Sequence, residues 1–351
     1  MSTIAYDCDV LVVGAGPVGG VLALELAMQG VSFRIIDSAP WLYTLAPWEL
    51  LNRHGAADSL IQRGRILRGG SVFINKQLAA SLDLDDLGVT DTEFALPLNI
   101  SQVETESFLD ECLAKYGLNV ERPVTATTIV QDDNGVATTV QLPNGQTKTI
   151  LSKYVVGCDG AHSVVRHASS HMTFEGDVYP QDFILCDVQL HDSNLNQNRL
   201  TLYLSNEGIL AILPLRKGIV RIVASRNPTF IKEQSQDIPT LPQLQSYFTL
   251  MTPPGSGTLH DPIWLTRFRL HHRCVNQYRD GPSALLDTYN LERRPVGLAL
   301  LRGTDKIFSF VSSPSPWWVP FRNWFLRHVL PRVNRSRERR RRMFLFITQL
   351  G

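Results

Sequence analysis

The chain has 351 residues, of which 44% are hydrophobic and 19% charged, a balance that excludes a disordered or fibrous polymer and leaves room for two domains. A formal net charge of +1 gives no reason to expect a nucleic-acid partner. Cys8, Cys112, Cys158, Cys186 and Cys274 show neither metal-ligand nor disulfide spacing, which points to a reducing, cytoplasmic setting. No basic segment precedes the first apolar run, and no run of about 18 apolar residues occurs. Neither a signal peptide nor a transmembrane helix is therefore expected.

Val10–Asp37 reads VLVVGAGPVGGVLALELAMQGVSFRIID. An apolar strand, Val10–Val13, enters Gly14-x-Gly16-x-x-Gly19; a helix-period stretch runs from Val18 to Gln29, and a second strand, Phe33–Ile36, ends in Asp37. Gly14 permits a tight turn, Gly16 admits a pyrophosphate to the backbone, and Gly19 lets helix and strand pack closely. The helix N-terminus offers free N–H groups to phosphate. Asp37 stands where a carboxylate accepts from a ribose hydroxyl, which a plain glycine turn in a βαβ unit would leave unexplained.

Glu49–Gly64 has helical pattern and Leu67–Asp83 reads as short strands. Ser101–Tyr116 is a helix with Ser101 as N-cap and Glu104 placed for a capping box. Leu118–Glu121, Thr125–Asp132, Gly135–Leu142 and Thr147–Leu151 read as strands, with Pro143-Asn144-Gly145 as a hairpin turn, and Tyr154–Val156 as a short buried strand. From Phe174 to Ala224 closely spaced strands with turn signals predict an antiparallel sheet. Helix returns at Thr240–Met251, strand at Ile263–Leu270, helix at Ala284–Leu301 around Pro295, and a terminal helical segment at Trp317–Gly351.

A second motif, Cys158-Asp159-Gly160-Ala161-His162-Ser163-Val164-Val165-Arg166, has the form DGxxSxxR. Together with the glycine turn it resembles the single-component flavin hydroxylases, the para-hydroxybenzoate and phenol hydroxylase group. FEGDVYPQDF (174–183), WLTRFRLHHR (264–273) and LLDTYNLERRPVG (285–297) also look like stretches of these aromatic-ring monooxygenases. The resemblance implies an α/β fold: a discontinuous Rossmann-type FAD-binding domain (1–71, 95–170 and 270–300), an inserted antiparallel-sheet substrate domain (72–94 and 171–269) and a C-terminal helical segment (301–351). It implies that Gly14, Gly16 and Gly19 line the FAD pyrophosphate and Asp37 holds the adenosine ribose. Gln102 lies near the flavin, Asp159 belongs to a motif serving FAD and the nicotinamide cofactor, and Arg166 anchors that motif through backbone carbonyls or Asp159. His162 reads as structural.

Two departures from the family pattern stand out. Ser38–Trp48 leads to the next helix in a loop about ten residues short, and no arginine occurs between Arg34 and Arg53. The larger one lies at Arg279-Asp280, where relatives carry a GDAAH segment, a GGQGxN turn and a helix, about 35–40 residues with a strand and helix of the nucleotide domain. Its loss predicts weakened FAD binding and bare apolar surface.

The chemistry the resemblance implies is hydroxylation of an aromatic or polyketide-like small molecule. NADH or NADPH reduces FAD, O2 adds to give a flavin C4a-hydroperoxide, and an electron-rich carbon takes its distal oxygen, in an apolar pocket between the two domains. The flavin carries the chemistry, so no catalytic residue is named. Tyr203, Tyr179 and His271 are candidate pocket groups, each more often an ordinary sheet residue. The alternative is a truncated or non-catalytic relative with weak or absent flavin binding. Finally, 317–346 combines Trp317, Trp318, Phe321, Trp324 and Phe325 with an arginine cluster. The favoured reading is a helix packed on the domain through its aromatics; the other is weak contact with an anionic membrane surface.

Overall fold

The computed structural model describes residues 5–39, 57–87, 96–216, 218–226, 238–281, 287–313, 315 and 317–348. The chain divides into two compact units, Met1–Arg63 with Ile100–Met172 and Gly64–Asn99 with Thr173–Gly351.

In the first unit, β1 (Cys8–Val13) is a near-continuous apolar run because it lies inside a sheet covered on both faces. It pairs in parallel with β2 (Phe33–Ile36) and β9 (Thr147–Gly157). β8 (Gly135–Gln141) and β7 (Thr125–Asp132) add antiparallel strands, giving the order β2-β1-β9-β8-β7. Helix α1 (Pro17–Met28) buries Ala23 and Leu24. A core of Leu11, Val13, Ile36, Val124, Ala126, Val140 and Ile150 also belongs to this unit. After α2 (Ala57–Arg63), the chain returns to this unit in α3 (Gln102–Lys115), which packs on α1. The packing is close because Gly20 has no Cβ: one built there would stand 2.8 Å from Leu109 Cδ1. Ser101 caps α3, its Oγ accepting from Glu104 N at 3.3 Å.

β9 changes partner along its length. It pairs with β8 up to Ser152 and with β1 from Ser152 onward. No strand is recorded on the other edge of 153–157 among the described residues. Tyr154 there is 44% exposed and Val156 36%.

The second unit holds β3 (Arg65–Ile66) paired with β6 (Leu98–Asn99), and a seven-stranded sheet. That sheet contains β4 (Gly69–Ile74), β5 (Gln77–Asp83), β10 (Phe174–His191), β11 (Arg199–Ser205), β12 (Gly208–Pro214), β13 (Ile219–Arg226) and β14 (Thr258–Val275), in the order β14-β10-β13-β12-β11-β4-β5. Cys186, Val188, Leu210, Ile212, Val220 and Ile222 form its main core with Leu244, Tyr247, Phe248 and Met251 of α5 (Leu241–Met251). Between those, α4 (Val164–Ala168) belongs to the first unit. Four helices end the chain: α6 (Asp287–Ser312), α7 (Trp318–His328), α8 (Leu330–Asn334) and α9 (Arg337–Thr348).

Several expectations change. The sheet is not wholly antiparallel: β11 runs parallel to β4, a pairing between segments far apart in sequence. Thr147–Leu151 and Tyr154–Val156 are one strand. Leu118–Glu121 makes only a single bridge, Glu121 to Ile36. Of the helix expected at Glu49–Gly64, Ala57–Arg63 is observed; residues 49–56 lie outside the described residues. Segment 270–300, expected in the first unit, falls in the second, because His271–Val275 pair with Phe174–Val178. Residues 64–71 and 96–99, also expected in the first unit, join the second, because Gly69–Ile74 is a strand of its sheet and Arg65–Ile66 pair with Leu98–Asn99.

Candidate dinucleotide site

Three strand ends meet at the glycine turn. Gly14 N donates to Ile36 O of β2 at 2.8 Å, and Cys158 N, just past β9, donates to Val13 O of β1 at 2.7 Å. Gly14 has φ +99°, and a Cβ there would lie 2.3 Å from Cys158 O. A Cβ on Gly19 would lie 1.9 Å from Gly14 O. Gly14 and Gly19 are thus required by packing. Gly16 is different: nothing stands within 4 Å of where its Cβ would be. It is also the N-cap of α1, and no side chain caps that end. Among the described residues the start of α1 is thus uncapped at Gly16, which leaves main-chain N–H groups of its first turn available, as a phosphate group needs.

Asp37 lies against the same turn. Its Oδ2 accepts from Ala15 N at 2.6 Å and its Oδ1 from Ala39 N at 2.8 Å. The carboxylate thus fixes the turn. Each oxygen retains a lone pair for a further donor.

The second motif reaches the first through Cys158. Asp159 Oδ2 accepts from Val164 N at 2.6 Å and Val165 N at 3.3 Å, holding the start of α4. Its Oδ1 is buried and has no partner. Ser163 Oγ accepts from Arg166 N at 3.0 Å, and the Arg166 guanidinium donates to Ala161 O at 2.9 Å. Arg166 therefore meets a backbone carbonyl, one of the two partners open to it in the sequence. His162 is exposed beside them. Burial, with the Asp159 charge adding to it, pushes the Cys158 thiol up to about 11, so it stays protonated and unreactive at neutral pH.

Gln102 stands at the first turn of α3 and is 2% exposed. Its amide donates to Glu106 Oε1 at 2.5 Å, and its own Oε1 is buried without a partner. Among the described residues no hydrogen bond joins its side chain to the glycine turn. Among the candidate pocket groups, Tyr203 is a core residue stacked on Phe73, ring centroids 4.9 Å apart. Tyr179 donates to Asp305 of α6 and lies against Phe308. The side chain of His271 lies outside the described residues.

One residue beside the turn carried no sequence signal. Arg122 ion-pairs with Asp110 at 2.6 Å and its other terminal nitrogen approaches Ala15 O at 3.4 Å. Burial raises the Asp110 carboxyl from its ordinary value against the opposing pull of Arg122. A guanidinium thus stands next to the turn although the expected loop arginine is absent.

Residues 7–285 match the family described as FAD binding domain. Pentachlorophenol 4-monooxygenase of Sphingobium chlorophenolicum is 26% identical over 357 aligned positions, which cover 87% of this chain and 65% of that protein. Rifampicin monooxygenase of Streptomyces venezuelae is 26% identical over 363 positions, covering 88% of this chain and 73% of the relative. The chain thus spans just under two thirds of the first relative's length. Since 87% of 351 residues is about 305, about fifty of the 357 positions have no residue of this chain, in keeping with internal shortening. Among solved structures, p-nitrophenol 4-monooxygenase PnpA from Pseudomonas putida superposes with a TM-score of 0.83 at 19% identity, over 99% of both chains. The flavin-dependent monooxygenase PieE, in complex with FAD and substrate, gives 0.75 at 16% identity, over 98% of this chain and 72% of its own. These likenesses carry the fold.

Proposed function

The chain belongs to the FAD-binding domain family, and we propose that it is an FAD-dependent monooxygenase that hydroxylates a small aromatic or polyketide-like molecule, with NADH or NADPH as reductant and O2 as co-substrate. The observation that carries this reading is the uncapped start of α1 at Gly16, with the Asp37 carboxylate bonded to Ala15 N on the same turn. These residues fit the dinucleotide end of FAD. The main chain at Gly14–Gly19 would take the pyrophosphate, and the spare lone pairs of Asp37 the adenosine ribose. Asp159 Oδ1 would accept from a hydroxyl or N–H of the cofactor, and Gln102 would lie toward the flavin. Arg166 positions the second motif. Bound flavin supplies the activation of oxygen; the chain's task is to hold it and to orient an apolar substrate away from water. The substrate class follows the relatives, named for pentachlorophenol, rifampicin and p-nitrophenol. The free cysteines suit a cytoplasmic enzyme.

The shortened joint at Arg279-Asp280 and the exposed Tyr154 and Val156 imply a looser hold on FAD than in longer relatives. The test is a titration of the purified chain with FAD, followed by NADH and NADPH oxidation in the presence of a phenol, with the hydroxylated product measured. Saturable but weak FAD binding and reductant-dependent product are expected. A folded chain that binds no FAD would overturn the reading. Inserting a relative's GDAAH to GGQGxN block between Arg279 and Asp280 should raise FAD occupancy and melting temperature together.

A further inference from the structure

Helix α7, with its N-cap residue Trp317, turns a guanidinium inward and three aromatic rings outward. On its inner face Arg322 is 4% exposed, with Nη1 donating to Val311 O at 2.5 Å. Trp318 Nε1 donates to Phe310 O at 3.1 Å, the Phe325 ring lies 5.5 Å from that of Phe310, and Leu326 is buried. On its outer face Trp317, at 90% exposure, Phe321 at 48% and Trp324 at 54% follow one another at helical spacing. Phe321 and Trp324 stack, with centroids 6.3 Å apart, and Trp324 lies 5.8 Å from the ring of His328. A self-sufficient surface helix has the opposite arrangement.

Positive charge continues the stripe. Arg327 and His328 are exposed at its end, and the Arg332 guanidinium donates to His328 O, which fixes a cation beside it. Exposed Arg335 and Arg339 follow, together with Arg337 and Arg342, which pair with Asp86 at 2.6 Å and Glu338 at 2.8 Å. From 313 to 351 the sequence has nine arginines and one acidic residue, Glu338, although the whole chain is near neutral. No described helix is long and apolar enough to cross a membrane.

We infer that the outer face of α7 docks on an anionic lipid surface, with Trp317, Phe321 and Trp324 at headgroup depth and the following arginines on acidic headgroups. Charge complementarity selects this occupant. Tryptophan is at home in the interfacial layer, and Arg327, Arg335 and Arg339, exposed beside arginines that Asp86 and Glu338 already pair, leave a net positive surface that matches anionic headgroups. The inference stands apart from the flavin reading, since none of these residues belongs to the dinucleotide site.

The experiment is flotation of the full chain with phosphatidylcholine vesicles, with and without phosphatidylserine. At least about tenfold more protein should float with the anionic vesicles, and salt should weaken the binding. Trp317→Ser/Phe321→Ser/Trp324→Ser should remove at least about tenfold of it with melting unchanged, and Arg327→Glu/Arg332→Glu should lower it as well. Should the triple variant not fold, Trp317→Ser alone serves. Absence of vesicle binding, or binding undiminished in the aromatic variants, would overturn the inference. So would a dimer in solution that the aromatic variant dissociates while vesicles bind nothing, which would make a second copy the occupant.

Discussion

The glycine turn and helix α7 present themselves to the outside by opposite means. In the turn the groups presented are main-chain N–H, and the glycines themselves carry no Cβ: two have no room for one, and among the described residues nothing stands within 4 Å of where the third would carry it. On α7 the backbone is closed in helical bonds and rings project from it. The difference shows where folding and function separate. In the turn they divide glycine by glycine, whereas on α7 they divide between the two faces of one helix.

The largest expected effect is at Gly19. Gly19→Ala places a methyl 1.9 Å from Gly14 O, so α1 must move off β1. A loss of about 3 kcal/mol is expected, read from the denaturant midpoint. Unchanged stability would erase the distinction between Gly19 and Gly16. At Gly16 the prediction reverses. Gly16 has φ −63° and ψ −179°, a conformation any residue adopts, and free space beside it. Gly16→Val should melt as the parent does, yet bind FAD or ADP at least about thirtyfold more weakly, about 2 kcal/mol. Equal affinity in the two proteins would remove phosphate from that opening.

Asp37→Ala sharpens the same comparison, because its carboxylate serves both purposes. The sequence places it at a strand end, where its loss would leave the fold intact. Its bonds to Ala15 N and Ala39 N predict instead a cost of about 1 kcal/mol without ligand, and a roughly tenfold drop in FAD affinity. Calorimetry of the ligand-free variant separates the two, and a drop in affinity alone would make the carboxylate purely a ligand group.

Much of this was legible in the sequence because it is local. The run from Val10 to Asp37 encodes strand, turn, helix and acid within one supersecondary unit, and Ser101 announces α3 three residues before the N–H it accepts. The illegible parts are contacts between distant segments. Nothing near Arg122 shows that it meets Ala15, and nothing in Gly69–Ile74 shows a parallel neighbour at Arg199–Leu204. Asp159 Oδ1 is orphaned by its surroundings rather than by its motif. The aromatics of α7 fall on both faces by spacing alone, so only the packing of Phe310 and Val311 against Trp318, Phe325 and Arg322 settles which ones face out.

A smaller effect is expected from pH. Hydrogen bonds from Asn334 and Arg199 hold the Asp83 carboxyl below its ordinary value. The stabilisation is present above the unfolded-state value and lost as pH falls through the folded one. Acid should therefore loosen α8 from β5, and Asp83→Asn should flatten that part of the melting profile below about pH 4. An unchanged acid limb would assign the loosening to other carboxylates.

The smallest effect belongs to one of the largest side chains. Trp317→Ala should change stability by no more than about 0.5 kcal/mol, because a ring 90% exposed gives up almost no buried area when removed. Trp318→Ala, one residue on, should cost several times more, since its indole N–H is bonded to Phe310 O and its ring meets that of Phe310 edge-on at 5.7 Å. Paired thermal melts of the two variants test the contrast. If Trp317→Ala destabilised the chain as much as Trp318→Ala, the ring would be part of the protein's own packing and the outer face of α7 would need no partner. If it does not, an indole that contributes nothing to the fold stands in line with Phe321 and Trp324 at the head of an arginine cluster, and its contribution must be sought in what the chain binds.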